Sequence, residues 1–194
     1  MTVQTARTIS LSLVVAWLGV SGAHAEAPAG WHIAGSAPNE YVFSQTAMAS
    51  SGKYGALIAA KSEKAGGFGT LMQTISADDY RGARWRLTGF MKTELAGRAQ
   101  MWMRVDGPEG KVLAFDNMDS RMVTGTSDWK RYEIVLDVPA SSVDIAFGFF
   151  LAQTGKVWGD NFKLEKVDAT VPVTAMAPAG AALPKAPANA DFER

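Results

Sequence analysis

Between Tyr41 and Lys166 the chain breaks into short apolar runs separated by Gly, Asp, Asn and Pro, and no window of a dozen residues keeps a helical 3.6 period. That pattern is the signature of short strands joined by tight turns. It predicts strands over Trp31–Ala34, Tyr41–Gln45, Gly55–Ala60, Phe68–Ser76, Ala83–Thr93, Gln100–Asp106, Val112–Phe115, Lys130–Val138, Asp144–Ala152 and Val157–Lys166. Period-2 alternation sorts their faces. Trp85, Leu87, Gly89 and Met91 look one way, while Arg84, Arg86, Thr88 and Lys92 look the other. Tyr132, Ile134, Leu136 and Val138 alternate with Glu133 and Asp137, and Ile145, Phe147, Phe149 and Leu151 alternate with Asp144, Ala146, Gly148 and Phe150. Asp106-Gly-Pro-Glu-Gly110 reads as a hairpin loop and Asp78–Gly82 as a turn or a single helical turn. About ten such strands imply an all-β fold, an antiparallel β-sandwich of the jelly-roll kind.

The two ends of the chain read differently. Residues 1–25 predict a secretory signal peptide: Arg7, then the apolar run Ile9–Val20, then small residues ending in Ala23-His-Ala25. The run is shorter than the ~20 residues that span a bilayer. Export to the periplasm or beyond follows as an expectation. Residues 26–168 hold the strand pattern. Residues 169–188 read as an extended linker, since Ala and Pro fill 12 of the 20 positions 171–190. Residues 189–194 then carry an apolar Phe192 among polar neighbours, a segment able to pair as an edge strand.

Composition narrows the chemistry. The 194 residues hold 19 Lys+Arg against 19 Asp+Glu, no Cys and 2 His. Such a balance lacks the basic surface that phosphate neutralisation requires, which argues against nucleic acid as a partner. No Cys means no disulfide and no thiolate chemistry, so an exported sandwich must rest on its core alone. Six Trp, nine Phe and four Tyr supply that core, with Trp85 and Trp129 expected to pack inside it.

Catalysis finds little support. There is no G-x-S-x-G nucleophile elbow, no pair of carboxylates at alternate positions of a strand, as a glycosidase would need, and His32 stands alone beyond the signal segment. Gly66-Gly-Phe-Gly69 lacks the Lys-Ser/Thr and the following helix of a phosphate loop. The chain reads as a non-enzyme.

Binding chemistry is better represented. Aromatic rings stack on the apolar faces of pyranose rings while nearby Asp, Asn and Arg fix the hydroxyls. Trp102 and Arg104 share one strand face, Asp116 and Asn117 end the following strand, and Trp158 and Asp160 share a face of the last strand. Trp102, Arg104, Asp116, Asn117 and Trp158 are therefore the candidate ligand-binding residues, in a shallow groove that Arg84 and Arg86 would join if their strand lay beside Gln100–Asp106. The alternatives are a core role for Trp102, turn-capping by Asp116 and Asn117, and cross-strand pairing of Arg104 with Asp106 or Glu133.

Several stretches carry a family resemblance: Gly67–Gln73, Asp79-Tyr-Arg-Gly82, Met101-Trp-Met-Arg-Val-Asp106, Leu113–Met118, Asp128-Trp129, Tyr132-Glu133, Val135–Pro139, Ile145–Gly148 and Gly155–Trp158. They resemble the galactose-binding-like, carbohydrate-binding-module type of jelly roll in exported bacterial proteins, over roughly residues 30–166. The resemblance implies a binding module for a carbohydrate or similar hydroxylated ligand. The other reading is a periplasmic scaffold that engages a protein partner and no sugar. Family members often bear transcriptional-regulator labels that accompany attached domains. Where related modules carry an Asp-Asp pair in the last strand, this chain has Gly159-Asp160-Asn161. The resemblance further implies that Asp160 and Glu193 could share a calcium ion, whose hard-oxygen preference suits carboxylates. Asp160 hydrogen-bonded to backbone at a bulge is the alternative. No other cofactor is expected.

Overall fold

The computed structural model describes residues 27–174. Its nine strands are β1 (His32–Ala34), β2 (Tyr41–Thr46), β3 (Gly55–Ala60), β4 (Phe68–Ser76), β5 (Ala83–Asp106), β6 (Val112–Asp116), β7 (Val123–Val138), β8 (Asp144–Ala152) and β9 (Lys156–Val167). Every pairing between them is antiparallel. The all-β jelly-roll sandwich expected from the alternation is the observed fold, and β3, β4 and β8 begin and end at the residues the pattern marks.

One departure organises the rest. The two strands expected over Ala83–Thr93 and Gln100–Asp106 are a single strand of 24 residues. Its first half, Arg84–Glu94, pairs with β9 on one side and β7 on the other. Its second half, Arg98–Asp106, pairs with β8 and with β6. The pairing with β7 shifts register between Met91 and Thr93, Thr93 and Ala96, and Ala96 and Ala99. Bulges bend a strand and raise its twist. Here they carry β5 from one sheet into the other. Leu95 stands at φ 49° inside the bend. Against it lies Gly155 of the β8–β9 turn, at φ 87°, where a Cβ would sit 2.2 Å from the Leu95 carbonyl oxygen. Only glycine fits that approach.

The result is two layers. The first sheet runs β1-β4-β8-β5-β6 and the second β2-β3-β9-β5-β7. Leu71, Phe147, Phe149, Met101 and Met103 project inward from the first, meeting Phe43, Ile58, Leu87, Ile134 and Leu136 from the second. Trp85 packs against this core, with its indole N–H donating to the Tyr80 carbonyl at 2.8 Å. Trp129 is half-buried on β7 outside it.

The stretch read as linker from residue 169 is packed in its described part. Arg84, held bidentately by Asp137 at 2.7 and 2.9 Å, also donates to the carbonyls of Ala169 and Val171. Thr174 then exchanges backbone-side hydrogen bonds with Val135 of the edge strand β7 at 2.8 and 2.9 Å. These bonds satisfy edge groups that would otherwise face water unpaired. The signal segment and residues 189–194 lie outside the described residues.

A chain ended after Asp168 should therefore lose about 2–4 kcal/mol, the worth of these four hydrogen bonds. A urea unfolding curve compared with the full chain checks this.

Candidate functional site

The outer face of the first sheet is recessed into a cleft of about 980 Å³. It crosses all five strands, from Ala34 at the end of β1 to Phe115 of β6 and Asn117 just after it. Four strand spacings make that about 20 Å. From β8 the cleft is lined by Phe150 and Ala152.

Aromatic groups line the recess. Trp102, Ala146 and Phe150 form a small apolar cluster of their own, with Met72, Phe115 and Ala152 packed around it. Trp102 keeps only 9% of its surface exposed. Its indole N–H donates to Thr70 Oγ1 at 3.0 Å, and the Thr70 hydroxyl donates to the Phe149 carbonyl at 2.8 Å. This chain of bonds fixes the indole, which acts as a rigid floor. Phe68 is 36% exposed and its ring lies 5.3 Å from that of Phe150, tilted by 54°. Phe68 is the accessible ring.

Two arginines flank the rings. The Arg98 guanidinium carbon lies 5.8 Å from the Phe150 ring centroid, within cation–π range. Arg98 donates to Gln100 Oε1 and to Asp119 Oδ1. Gln100, fully buried, donates to the same Asp119 oxygen at 3.1 Å and to the Asn117 carbonyl. The Gln100 hydrogen bond chiefly, with Asn117 and the Arg98 charge, holds the Asp119 carboxyl below its ordinary pKa against the opposing effect of desolvation. Arg104, on the same face, pairs with Asp106 at 2.8 Å. Across from Asp106, Asp144 has its pKa raised, first by burial and then by the Asp106 charge. Each cleft arginine is thus neutralised by one acid, yet a guanidinium has five N–H donors, so donors remain for a ligand.

Of the residues singled out in the sequence, Trp102, Arg104 and Asn117 line this cleft together. The other two do not. Asp116 is fully buried: it pairs across from inward-facing Met103, accepts the Met118 N–H at 2.8 Å and takes the Arg121 guanidinium at 2.7 Å. It caps the turn into Asp119–Arg121, which corrects its placement in the groove. Trp158 is buried in the other sheet, at the outward register position beside Leu57 and Lys92. Arg84 and Arg86 share β5 with Trp102 but occupy its first half, so the bend places them on the second sheet, engaged with Asp137 and with Glu133 and Glu165.

Asp160 follows the backbone-bonding alternative. One carboxylate oxygen accepts from Ser50 N and Oγ at 2.8 and 2.7 Å and from Ser51 N at 3.1 Å, while the other accepts from Asn161 N at 2.7 Å. Asn161 itself has φ 52°, beside the register shift in the β5–β9 pairing. Glu193, the second residue of the calcium expectation, lies outside the described residues.

Phe68, Arg98, Phe115 and Phe150 were missed as site residues. A signal for Phe150 was present: the outward positions of β8 after Asp144 are Ala146, Gly148, Phe150 and Ala152, without a charge among them. A solvent-bathed face would carry polar groups there. Phe68 and Arg98 gave no such sign, because each depends on which strands become neighbours.

No protein-family model matches the chain. A relative of Bacillus subtilis (strain 168), described as an uncharacterized HTH-type transcriptional regulator YbfP, is 46% identical over 129 residues. The match covers 66% of this chain and 43% of the relative, so the chain spans less than half of that protein's length. Among solved structures, the enzymatically active domain of bacteriophage CBA120 tailspike protein 4 is similar with a TM-score of 0.57 and 14% identity, over 72% of this chain and 20% of that one. The C-terminal family 22 carbohydrate binding module of Clostridium thermocellum Xyn10B is similar with a TM-score of 0.52 and 12% identity, over 71% of this chain and 86% of that one. At these identities the likeness is one of fold, an antiparallel β-sandwich also found in that carbohydrate binding module.

Two outcomes follow for stability. Asp116→Ala strands Arg121 and the Met118 N–H and should cost about 2–3 kcal/mol by urea unfolding. For Asp119, the folded pKa lies below the unfolded one, so its contribution is complete above the ordinary Asp value of about 3.9 and is lost as pH falls through the lowered value. The stability gap between the natural chain and Asp119→Asn, measured by unfolding at a series of pH values, should be constant near neutrality and close only in acid.

Proposed function

We propose that this chain is a non-catalytic carbohydrate-binding module and that the cleft over β4, β8 and β5 takes the glycan. The observation that carries the reading is the pairing of an aromatic floor with charge-neutralised arginines in an open trough. Ring faces at Phe68, Phe150 and Trp102 suit the C–H faces of sugars. Arg98, Arg104 and Asn117 supply hydrogen bonds at the margins without a net charge to satisfy. A trough about 20 Å long, by the strand spacing, suits several sugar rings in a row rather than one. The fold likeness supports this, since the cleft of the family 22 module is described as the place of ligand binding in that protein.

Export through the signal segment at residues 1–25 belongs to the same proposal, and places the module where glycans are met. The identity of the sugar stays at the level of class: a neutral or near-neutral chain, since neither arginine is free of its acid. A regulator's DNA contact is not favoured, as the described residues contain no α-helix to enter a groove.

Titration of the full chain with a panel of β-linked xylan, glucan and galactan oligosaccharides, followed by calorimetry, tests the reading. At least one should bind with micromolar to millimolar affinity, and Phe68→Ala should weaken it about tenfold, the effect of losing one stacked ring. Trp102→Ala should weaken it as well and lower the unfolding midpoint, because its indole is half of the Thr70 linkage. No binding across the panel, or binding indifferent to Phe68, would overturn the cleft.

A further inference from the structure

On the outer face of the first sheet, one row beyond Arg104, two carboxylates stand directly opposite each other. Asp106 is the last residue of β5 and Asp144 the first of β8, and they are partners in the β5–β8 ladder. Side chains at such positions have Cβ atoms about 4.5–5.5 Å apart, and like charges placed there repel. Backbone bonding keeps them in register: the Val143 N–H donates to the Asp106 carbonyl at 2.7 Å, at the entry to β8. Both residues line a recess of about 450 Å³ together with Arg104, Glu109 and Thr74.

Asp106 is only 5% exposed. Its Oδ2 accepts from Arg104 Nε at 2.8 Å. Its Oδ1 is buried and has no hydrogen-bond partner among the described residues. A carboxylate oxygen left so is costly. The surroundings bring the pair little relief. On β4, Ser76 stands opposite Asp144, but its hydroxyl donates to Asp78 at 2.7 Å, and Asp78 pairs with Arg81 at 2.9 Å. The turn at residues 139–143 carries no ionisable side chain. On β6, Val112 pairs with Asp106, while Lys111 before it is exposed and outside the recess lining. Glu109 of the β5–β6 turn adds a further negative charge to that lining. Arg104 is therefore the one cation of the recess, and Asp106 already holds it.

What the buried oxygen lacks, a proton can supply. A carboxyl that keeps its proton donates a hydrogen bond, and two carboxyls sharing one site raise the pKa of one of them. Asp144 is the one whose pKa is raised, first by burial, then by the Asp106 charge against the opposing charge of Arg104, and further by a hydrogen bond with Asp106.

We infer that Asp106 and Asp144 form a proton-binding pair that sets the hold on Arg104, and with it the charge at this end of the cleft. With the proton bound, Asp144 donates to Asp106 Oδ1 and a single negative charge faces the guanidinium. With the proton lost, two negative charges face it and draw Arg104, which lines both the cleft and the recess, toward the recess. The pair thus behaves oppositely to Asp119, whose carboxyl is held below its ordinary pKa. Because the folded pKa of Asp144 lies above the unfolded one, its stabilising contribution is complete below the ordinary Asp value of about 3.9 and is lost as pH rises through the raised value.

NMR of the full chain over a pH series, following the Asp carboxyl carbons and the Arg104 Nε–H, tests the pair. Asp144 should titrate above the ordinary Asp value, and the Arg104 signal should move with the same midpoint. Asp144→Asn should abolish that movement, and Asp106→Asn, which removes the facing charge, should bring Asp144 back toward its ordinary value. Urea unfolding gives an independent reading. The amide of Asp144→Asn keeps a donor for Asp106 at every pH, so its unfolding midpoint should exceed that of the natural chain near neutrality, and the excess should shrink in acid. An ordinary pKa for Asp144, an Arg104 signal indifferent to it, or a midpoint difference that is constant with pH would overturn the pair. A last measurement rests on the cleft reading. Any xylan, glucan or galactan oligosaccharide that binds there should bind about threefold more tightly with the proton in place, the scale of one hydrogen bond, and Asp144→Asn should erase that pH dependence. If no oligosaccharide binds, the cleft reading fails, while the carboxyl titration still decides for or against the pair.

Discussion

The passage of one strand through both layers is the constraint on which this fold turns. β5 supplies a paired strand to each sheet, and its bulges around Leu95 decide where the first sheet ends and the second begins. Everything that binds or packs takes its position from that bend. Trp102 and Arg104 reach the cleft because they follow it, while Arg84 and Arg86 precede it and are sent to the other side of the molecule. The close approach of Gly155 to the Leu95 carbonyl locks the β8–β9 turn onto the same point, so that β8 and β9, which flank β5 in different sheets, are also set by it.

A sandwich without disulfides must close its core by side-chain packing, and this one does so with Met, Phe and Leu from both inner faces. The polar arrangement at the surface serves that packing in several places. Asp116 caps the turn beneath the cleft, Gln100 ties Asp119 to the floor, and Thr70 links the Trp102 indole to the backbone of β8. The Asp119 carboxyl that holds Arg98 is kept below its ordinary pKa, so this pairing does not vary across ordinary pH. Rigid presentation of rings and donors lowers the ordering cost of binding a flexible glycan.

The open cleft combines aromatic rings with paired arginines along a trough. The relative from Bacillus subtilis is 46% identical over 129 residues, which make up 43% of its own length.

Strand period and turn chemistry were legible in the residues themselves, because alternation reports which side of a strand is buried and Gly, Pro and Asp report where the chain must turn. That was sufficient for the all-β sandwich, for most strand limits and for the inward rows. It also placed Trp102, Arg104 and Asn117 together, since the first two lie on one strand of a hairpin and the third follows the other strand directly. Tertiary structure alone decided the rest. Whether Ala83–Asp106 is two strands or one bent strand depends on long-range pairing with β7, β8 and β9, and the same pairing separates Trp158 and Arg84 from the cleft and brings Phe68 and Arg98 to it. Asp116 shows the same limit at the scale of a single side chain. Its neighbours in sequence suggested a ligand contact, but inward or outward at a strand end is settled only by the register of the hairpin, which turned its carboxylate to the core.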